Sequence, residues 1–258
     1  MPSDTLSLAG KVAIVTGSGR ENGIGAGIVV ALARNGAAVT INYVSDSVTK
    51  RAHDLADNIK ADGGRVTVVQ STVDTEEGAQ FLVQETLKAF GTDHIDILVN
   101  NAGTGFAGDT LKVKPEEIAK MLDVNVKGPV YVAQAAIPHM PHGSRVINIS
   151  SIAARLGLDD LPIYGACKAA LDSLTWSWAK EFIQKSTKNT LVYETDITPA
   201  SEMESSPSIQ QKPASTPQLV FVTVAHPNEM KDRNTQRKIS RHVMKEIGRS
   251  RRRKPRKD

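Results

Sequence analysis

The 258 residues carry 40% hydrophobic and 23% charged side chains with 19 glycines and 12 prolines, which suits one sizeable α/β core and fits neither a disordered nor a collagen-like chain. No apolar run approaches the roughly 20 residues that span a bilayer, residues 1–10 carry no basic segment leading into an apolar one, and the single Cys167 excludes an internal disulfide or multi-cysteine metal site. A cytoplasmic protein with no membrane partner is expected. The net charge of +4 divides unevenly: residues 226–258 hold 13 Lys and Arg against 4 Asp and Glu, or +9, and the preceding residues sum to −5.

From the first residues onward, short β-rich runs alternate with amphipathic helical stretches. Lys11 to Thr16 reads as a buried strand, followed by Thr16-Gly17-Ser18-Gly19-Arg20-Glu21-Asn22-Gly23-Ile24-Gly25 and a helix that ends near Asn35-Gly36, where glycine suits a left-handed cap. Glycines in such a loop let the backbone approach a pyrophosphate, and the free N–H groups and dipole of the following helix attract its charge. Ala37 to Tyr43 is the next strand. At its end an acid would accept the ribose hydroxyls of NAD and repel a 2′-phosphate. Here Asn42 and Tyr43 lead to Val44 and Ser45, with no acid before Asp46. With Arg20 as a phosphate partner this favours NADP(H) over NAD(H); Asp46 folding back onto the ribose would reverse the preference.

Ala52, Leu55, Ala56 and Ile59 recur at helical spacing, as do Ala79, Leu82, Val83, Thr86, Leu87 and Phe90. Between these two helices Arg65 to Gln70 forms a strand, followed by Thr72 and Asp74. Ile95 to Val99 and Arg145 to Ile149 are near-continuous apolar runs of the kind covered on both faces. The alternation implies a doubly wound parallel sheet of Rossmann type, because parallel strands need crossover connections.

Three further groups carry chemistry. Ile118, Met121, Leu122 and Asn125 follow helical spacing, so an amide stands on an apolar face and needs partners. Pro129 has no N–H for the Asn125 carbonyl, which predicts a free carbonyl, or else a kink that turns Asn125 to solvent. Tyr164 and Lys168 share a helix face at i and i+4. A phenol titrates at about pH 10, and an adjacent ammonium favours its phenolate. Ser151 closes the fifth strand, 13 positions before Tyr164. Cys167 reads as a packing residue.

Together these residues resemble the short-chain dehydrogenase/reductase family, whose glycine loop reads TGxxxGxG. Asn100-Asn101-Ala102-Gly103 after the fourth strand, Asn125, Ser150-Ser151 and Tyr164-Gly165-Ala166-Cys167-Lys168 continue the likeness in order from about Gly10 to Glu181. Glu21 and Asn22 form a two-residue insertion relative to that loop. The resemblance implies that Tyr164 protonates a carbonyl oxygen as hydride arrives from a nicotinamide and that Ser151 binds the same oxygen. Lys168 would hold the nicotinamide ribose, and Asn125 a water in a proton relay to Lys168. It also implies a dinucleotide site formed by Gly17, Ser18, Arg20, Gly23, Ile24, Gly25, Asn42, Tyr43, Thr72, Asn101, Ala102, Gly103, Tyr164 and Lys168. A homodimer through the helices bearing Asn125 and Tyr164 follows as well, with a small carbonyl or alcohol as substrate.

The likeness fails after Lys185. The family's Pro-Gly turn is replaced by Thr198-Pro199-Ala200, and no substrate lid follows it. Residues 1–199 read as the catalytic domain and 200–217 as a flexible linker rich in Ser, Pro and Gln. Residues 218–258 read as a basic tail with a strand at Leu219 to Val224 and a helix at Asn234 to Gly248. The tail resembles, over a short stretch, a segment adjoining the regulatory regions of fungal zinc-cluster transcription factors. Arg251 to Lys257 could serve nuclear import, while nucleic-acid binding is not expected. Three functions compete: an NADP(H)-dependent carbonyl reductase or alcohol dehydrogenase, a dinucleotide-binding chain impaired in catalysis, and a basic-tailed nuclear interaction protein.

Overall fold

The computed structural model describes residues 7–185, 190–192 and 222–224. The 200–217 linker, most of the basic tail and Arg251 to Lys257 lie outside the described residues. Strands β1 (Val12–Val15), β2 (Ala38–Tyr43), β3 (Arg65–Gln70), β4 (Ile97–Asn100), β5 (Arg145–Ser151) and β6 (Thr190–Val192) lie in the order β3-β2-β1-β4-β5-β6, and the pairs are parallel. Strand β7 (Val222–Val224) pairs in parallel with Ile149–Ser151 of β5, off that path. The strand expected at 219–224 is therefore present at its C-terminal end.

Helices α1 (Ile24–Arg34), α2 (Thr49–Ala61), α3 (Glu76–Phe90), α4 (Pro115–Leu122), α5 (Gly128–Ala136) and α6 (Pro162–Lys185) make the crossovers. Side chains alternate through the sheet. Ala13 and Val15 join α1 and α2 in one apolar cluster, whereas Ile14, Leu98 and Val146 join α3, α5 and α6 in the other. Both faces of β1 and β4 are thus covered, which explains their unbroken apolar sequence. Ile14 and Leu98 are fully buried, and each such side chain contributes about 1.5–3 kcal/mol.

Local chemistry fixes the helix ends. Thr75 caps α3 by accepting the Gly78 N–H at 3.1 Å, and Gly91 stops the helix at φ 61°. The predicted face of α3 is buried from Ala79 to Leu87. The fourth strand begins at Ile97, later than expected, because buried Asp96 closes its start. The Asp96 carboxylate accepts the Val12 N–H at 2.9 Å and Lys11 at 2.6 Å. Between β1 and β4 the winding reverses direction, and a crevice opens at the carboxyl ends of the strands.

Candidate active site

At the head of that crevice α1 begins with Gly23 as an extended N-cap, with no capping side chain and no acid in its first turn. The orphan N–H groups and the positive end of the dipole are left for an anion. Gly17 has φ +60°, and a Cβ there would stand 2.7 Å from the Ala102 Cα, so the loops after β1 and β4 touch only because Gly17 lacks a side chain. Thr16 knots the two loops. Its hydroxyl accepts the N–H groups of Asn101 at 3.0 Å and Ala102 at 2.9 Å, while the Asn101 amide donates to the carbonyls of Thr16 at 2.8 Å and Gly17 at 3.0 Å. The Glu21–Asn22 insertion is absorbed without disturbing this cradle. It forms an exposed turn closed by the Gly23 N–H on the Arg20 carbonyl at 2.8 Å, and the Glu21 carboxylate lies 3.9 Å from Arg51.

Several residues expected to line a dinucleotide face inward. Asn42 is 1% exposed; its carboxamide accepts the Gly17 N–H at 3.1 Å and donates to the Ser71 carbonyl at 2.9 Å. Ser18 is as buried, donating to the Val15 carbonyl at 2.7 Å and accepting the Asn42 N–H at 3.2 Å. Both shape the loop from beneath. Tyr43 is buried under Gly19 and donates its hydroxyl to Gln70 at 3.2 Å. Ile24 is buried and Gly25 packs against Ser18 and Asn101. Thr72 donates to Asp74, which Lys120 of α4 also binds at 2.6 Å. Gly17, Arg20 and Gly103 are exposed, and Gly23, Asn101 and Ala102 are half-buried. Asp46 is held outward by the Gln70 amide at 2.6 Å.

Ser151, Tyr164, Lys168 and Asn125 converge. Tyr164 shares a hydrogen bond with Ser151. The Lys168 ammonium lies 5.7 Å from the Tyr164 ring centroid and donates to the Ile149 carbonyl at 2.8 Å. A Cβ on Gly103 would lie 2.9 Å from the Asn125 Oδ1 and 3.5 Å from the Lys168 Nζ, so both groups border the same glycine. Asn125 is fully buried within a π-helical turn, Asp123–Lys127, between α4 and α5. Its amide donates to the carbonyls of Thr104 at 2.7 Å and Met121 at 2.8 Å, and its oxygen accepts the Thr104 N–H at 3.2 Å. The kink that would turn Asn125 to solvent is not found. The widened turn accommodates Pro129 instead, with the Gly128 N–H reaching back to the Asp123 carbonyl.

One electrostatic expectation is corrected. The Tyr164 phenol is raised overall and not lowered: burial lifts it above its ordinary value, the Ser151 bond opposes that, and Cys167 adds to the rise. The ammonium stands over the ring and donates to the Ile149 carbonyl. Burial pushes Lys168 itself down to about 8, against the opposing pull of Cys167 and Asp172. At neutral pH the pocket therefore holds a protonated phenol beside a cation, which is the state a proton donor requires.

The sequence reading overlooked Gly165. A Cβ there would meet the Ala153 carbonyl at 2.5 Å, so α6 seats Tyr164 against the 3-10 turn Ile152–Ala154 only because this residue has no side chain. A glycine inside a helical pattern is a mark of such close approach.

A family model described as short chain dehydrogenase matches residues 11–206. Among curated proteins the chain is 42% identical over 177 residues to the short-chain dehydrogenase/reductase FrzI of a Cladobotryum species, covering 68% of this chain and 66% of that protein. It is 38% identical to the hydroxynaphthalene reductase-like protein Arp2 of Metarhizium majus, covering 67% and 63%. The chain thus spans just under two thirds of these curated relatives. Among solved structures, the landomycin C-6 ketoreductase LanV with bound NADP and rabelomycin superposes with a TM-score of 0.66 at 33% identity, covering 72% of this chain and 76% of that one.

Proposed function

We propose, because this chain belongs to the short-chain dehydrogenase family, that it is an NADP(H)-dependent oxidoreductase interconverting a carbonyl and an alcohol. The observation that carries the reading is the convergence of Ser151, Tyr164 and Lys168, with Lys168 bordering Gly103 in the loop whose Ala102 packs on Gly17. The residues present fit a dinucleotide: a positive-φ glycine without side chain, orphan helix N–H groups and no acid in the first turn accommodate a pyrophosphate. When bound, the nicotinamide supplies the hydride. Ser151 donates a hydrogen bond to the substrate oxygen and stabilises its developing charge. Tyr164 delivers the proton to that oxygen, and Lys168 holds positive charge behind the phenol as it ionises.

Asn125 would supply the next step of the proton path, through a water held toward Lys168. Asn125→Ala is expected to lose turnover at unchanged dinucleotide affinity and to lose about 1–3 kcal/mol of stability from its abandoned buried partners. Assays run well below its melting temperature separate the two effects, and undiminished turnover there would remove the relay.

For the cofactor, the exposed Arg20 and the outward anchoring of Asp46 support NADP(H), as does the NADP bound by LanV. Arg20→Ala is expected to weaken NADPH binding about tenfold, the worth of one charge-assisted bond, and to leave NADH unchanged. Fluorescence titration checks this; equal losses for both dinucleotides would take the 2′-phosphate away from Arg20. For the substrate, the names of the relatives suggest fused-ring aromatic ketones, with a tetralone as first probe. Consumption of NADPH by the full chain with such ketones tests the activity. Dinucleotide binding without turnover of any carbonyl would select the impaired alternative.

A further inference from the structure

The helix that carries Tyr164 and Lys168 is fastened to the strand that carries Ser151 by polar contacts outside the reacting group. Asn148 donates to Thr175 at 2.7 Å, and both are fully buried. Ser150 donates its hydroxyl to the Asp172 carboxylate. From Asn148 to Ser150 the strand rises while its helix partners descend from Thr175 to Asp172, the antiparallel sense a crossover helix must have. Asp172 also stands four residues beyond Lys168, as Lys168 does beyond Tyr164, so carboxylate, ammonium and phenol follow one another along one face of α6.

We propose that Asp172 and Ser150 are positioning residues for the reaction: their bond sets α6 on β5 so that Tyr164 and Lys168 meet Ser151, and the Asp172 charge holds Lys168 as an ammonium. The inference rests on the proposed roles of those three residues. Other groups could have carried that charge, and the surroundings narrow the choice. Among the described residues, the charged groups facing Asp172 are Lys168, on its own helix, and Arg155, which follows the 3-10 turn. Lys168 faces Asp172 and Cys167, along with the neutral Tyr164 and Asn125. Burial pushes the Cys167 thiol up, so it stays neutral where Lys168 titrates. Burial also raises Asp172 to about 6, opposed by the Ser150 bond, Arg155 and Lys168, which leaves it ionised at neutral pH. Among the described residues, Asp172 is the remaining anion.

Two substitutions divide the proposal. Asp172→Asn keeps shape and an acceptor for Ser150 but removes the charge, whereas Ser150→Ala removes the bond and keeps the carboxyl group, which it shifts upward, so the two are compared at alkaline pH where that carboxyl is ionised. Lys168 titration is followed by heteronuclear NMR of lysine side chains in the free protein, with the resonance assigned by its loss in Lys168→Met. Asp172→Asn is expected to lower that midpoint by about half a pH unit or more, and to move the alkaline limb of the pH–rate profile down with it. Asp172→Glu should restore both. Ser150→Ala should lower kcat several-fold with KM unchanged and the Lys168 midpoint in place. An unmoved midpoint in folded Asp172→Asn overturns the electrostatic half, and an undiminished kcat in Ser150→Ala overturns the positioning half. If the midpoint moves while the wild-type chain reduces no carbonyl, the Asp172–Lys168 coupling stands and the oxidoreductase reading is the one that fails.

Discussion

Replacing Tyr164 with phenylalanine is expected to lower kcat for NADPH-dependent carbonyl reduction by about 10²- to 10⁴-fold, the usual contribution of a positioned general acid. The substitution removes one atom with its proton and little else. The ring would still pack beside Gly105, where a Cβ would lie 3.2 Å from the Tyr164 Cδ2, and would keep Lys168 over its face. Ser151 would still accept the Ala153 N–H at 3.2 Å. Stability should therefore change by no more than about 1.5 kcal/mol, one net hydrogen bond. The direction of the Tyr164 shift adds a pH signature. A phenol raised by burial keeps its proton through neutral pH and past the point where Lys168 titrates, so reduction should be sustained at neutral pH and its alkaline limb should follow Lys168 and not Tyr164. Steady-state kinetics, a dinucleotide titration and a thermal melt decide the matter together. A folded variant that binds NADPH and keeps its turnover would show that the proton comes from elsewhere.

What the sequence made legible depended on how local the cause was. Strand-length apolar runs and helical spacing are set within a few residues, so the elements from β1 to β5 and the buried face of α3 followed from them. The reacting residues were readable because i and i+4 on one helix meet whatever surrounds them. Side-chain direction at the end of β2 was not readable. Asn42 points inward because the Gly17 N–H and the Ser71 carbonyl, far apart in the chain, both need a partner there. The direction of the Tyr164 shift likewise depends on contacts between elements, since burial of the phenol is its largest cause. Asp172 left a trace that could have been followed: an acid one turn beyond Lys168, on the face that Leu171 and Thr175 bury. Its partner Ser150 was visible only as the neighbour of Ser151.

Lys168→Met is expected to remove turnover and yet make the fold more stable at neutral pH. Lys168 is 3% exposed, and burial takes its ammonium from the ordinary 10.5 down to about 8. Between those two values the unfolded chain binds the proton and the folded chain has released it, so stability rises with pH across that window. Below about 8 both states are protonated, and the folded state carries the full cost of the buried charge, about 3 kcal/mol. Methionine fills the same space without charge. It gives up the bond to the Ile149 carbonyl, worth about 1 kcal/mol, so a net gain of about 1–2 kcal/mol is left. Denaturant unfolding across pH tests this directly: the wild type should gain stability from about pH 8 to 10.5 relative to Lys168→Met, so the curves should cross, and above the crossing the wild type should be the more stable by the bond that the neutral amine keeps with Ile149. A variant that is less stable than wild type at neutral pH would mean that the ammonium is held by favourable contacts strong enough to offset its burial. Lys168 would then be a structural residue, and its place next to Tyr164 would need another explanation than proton transfer.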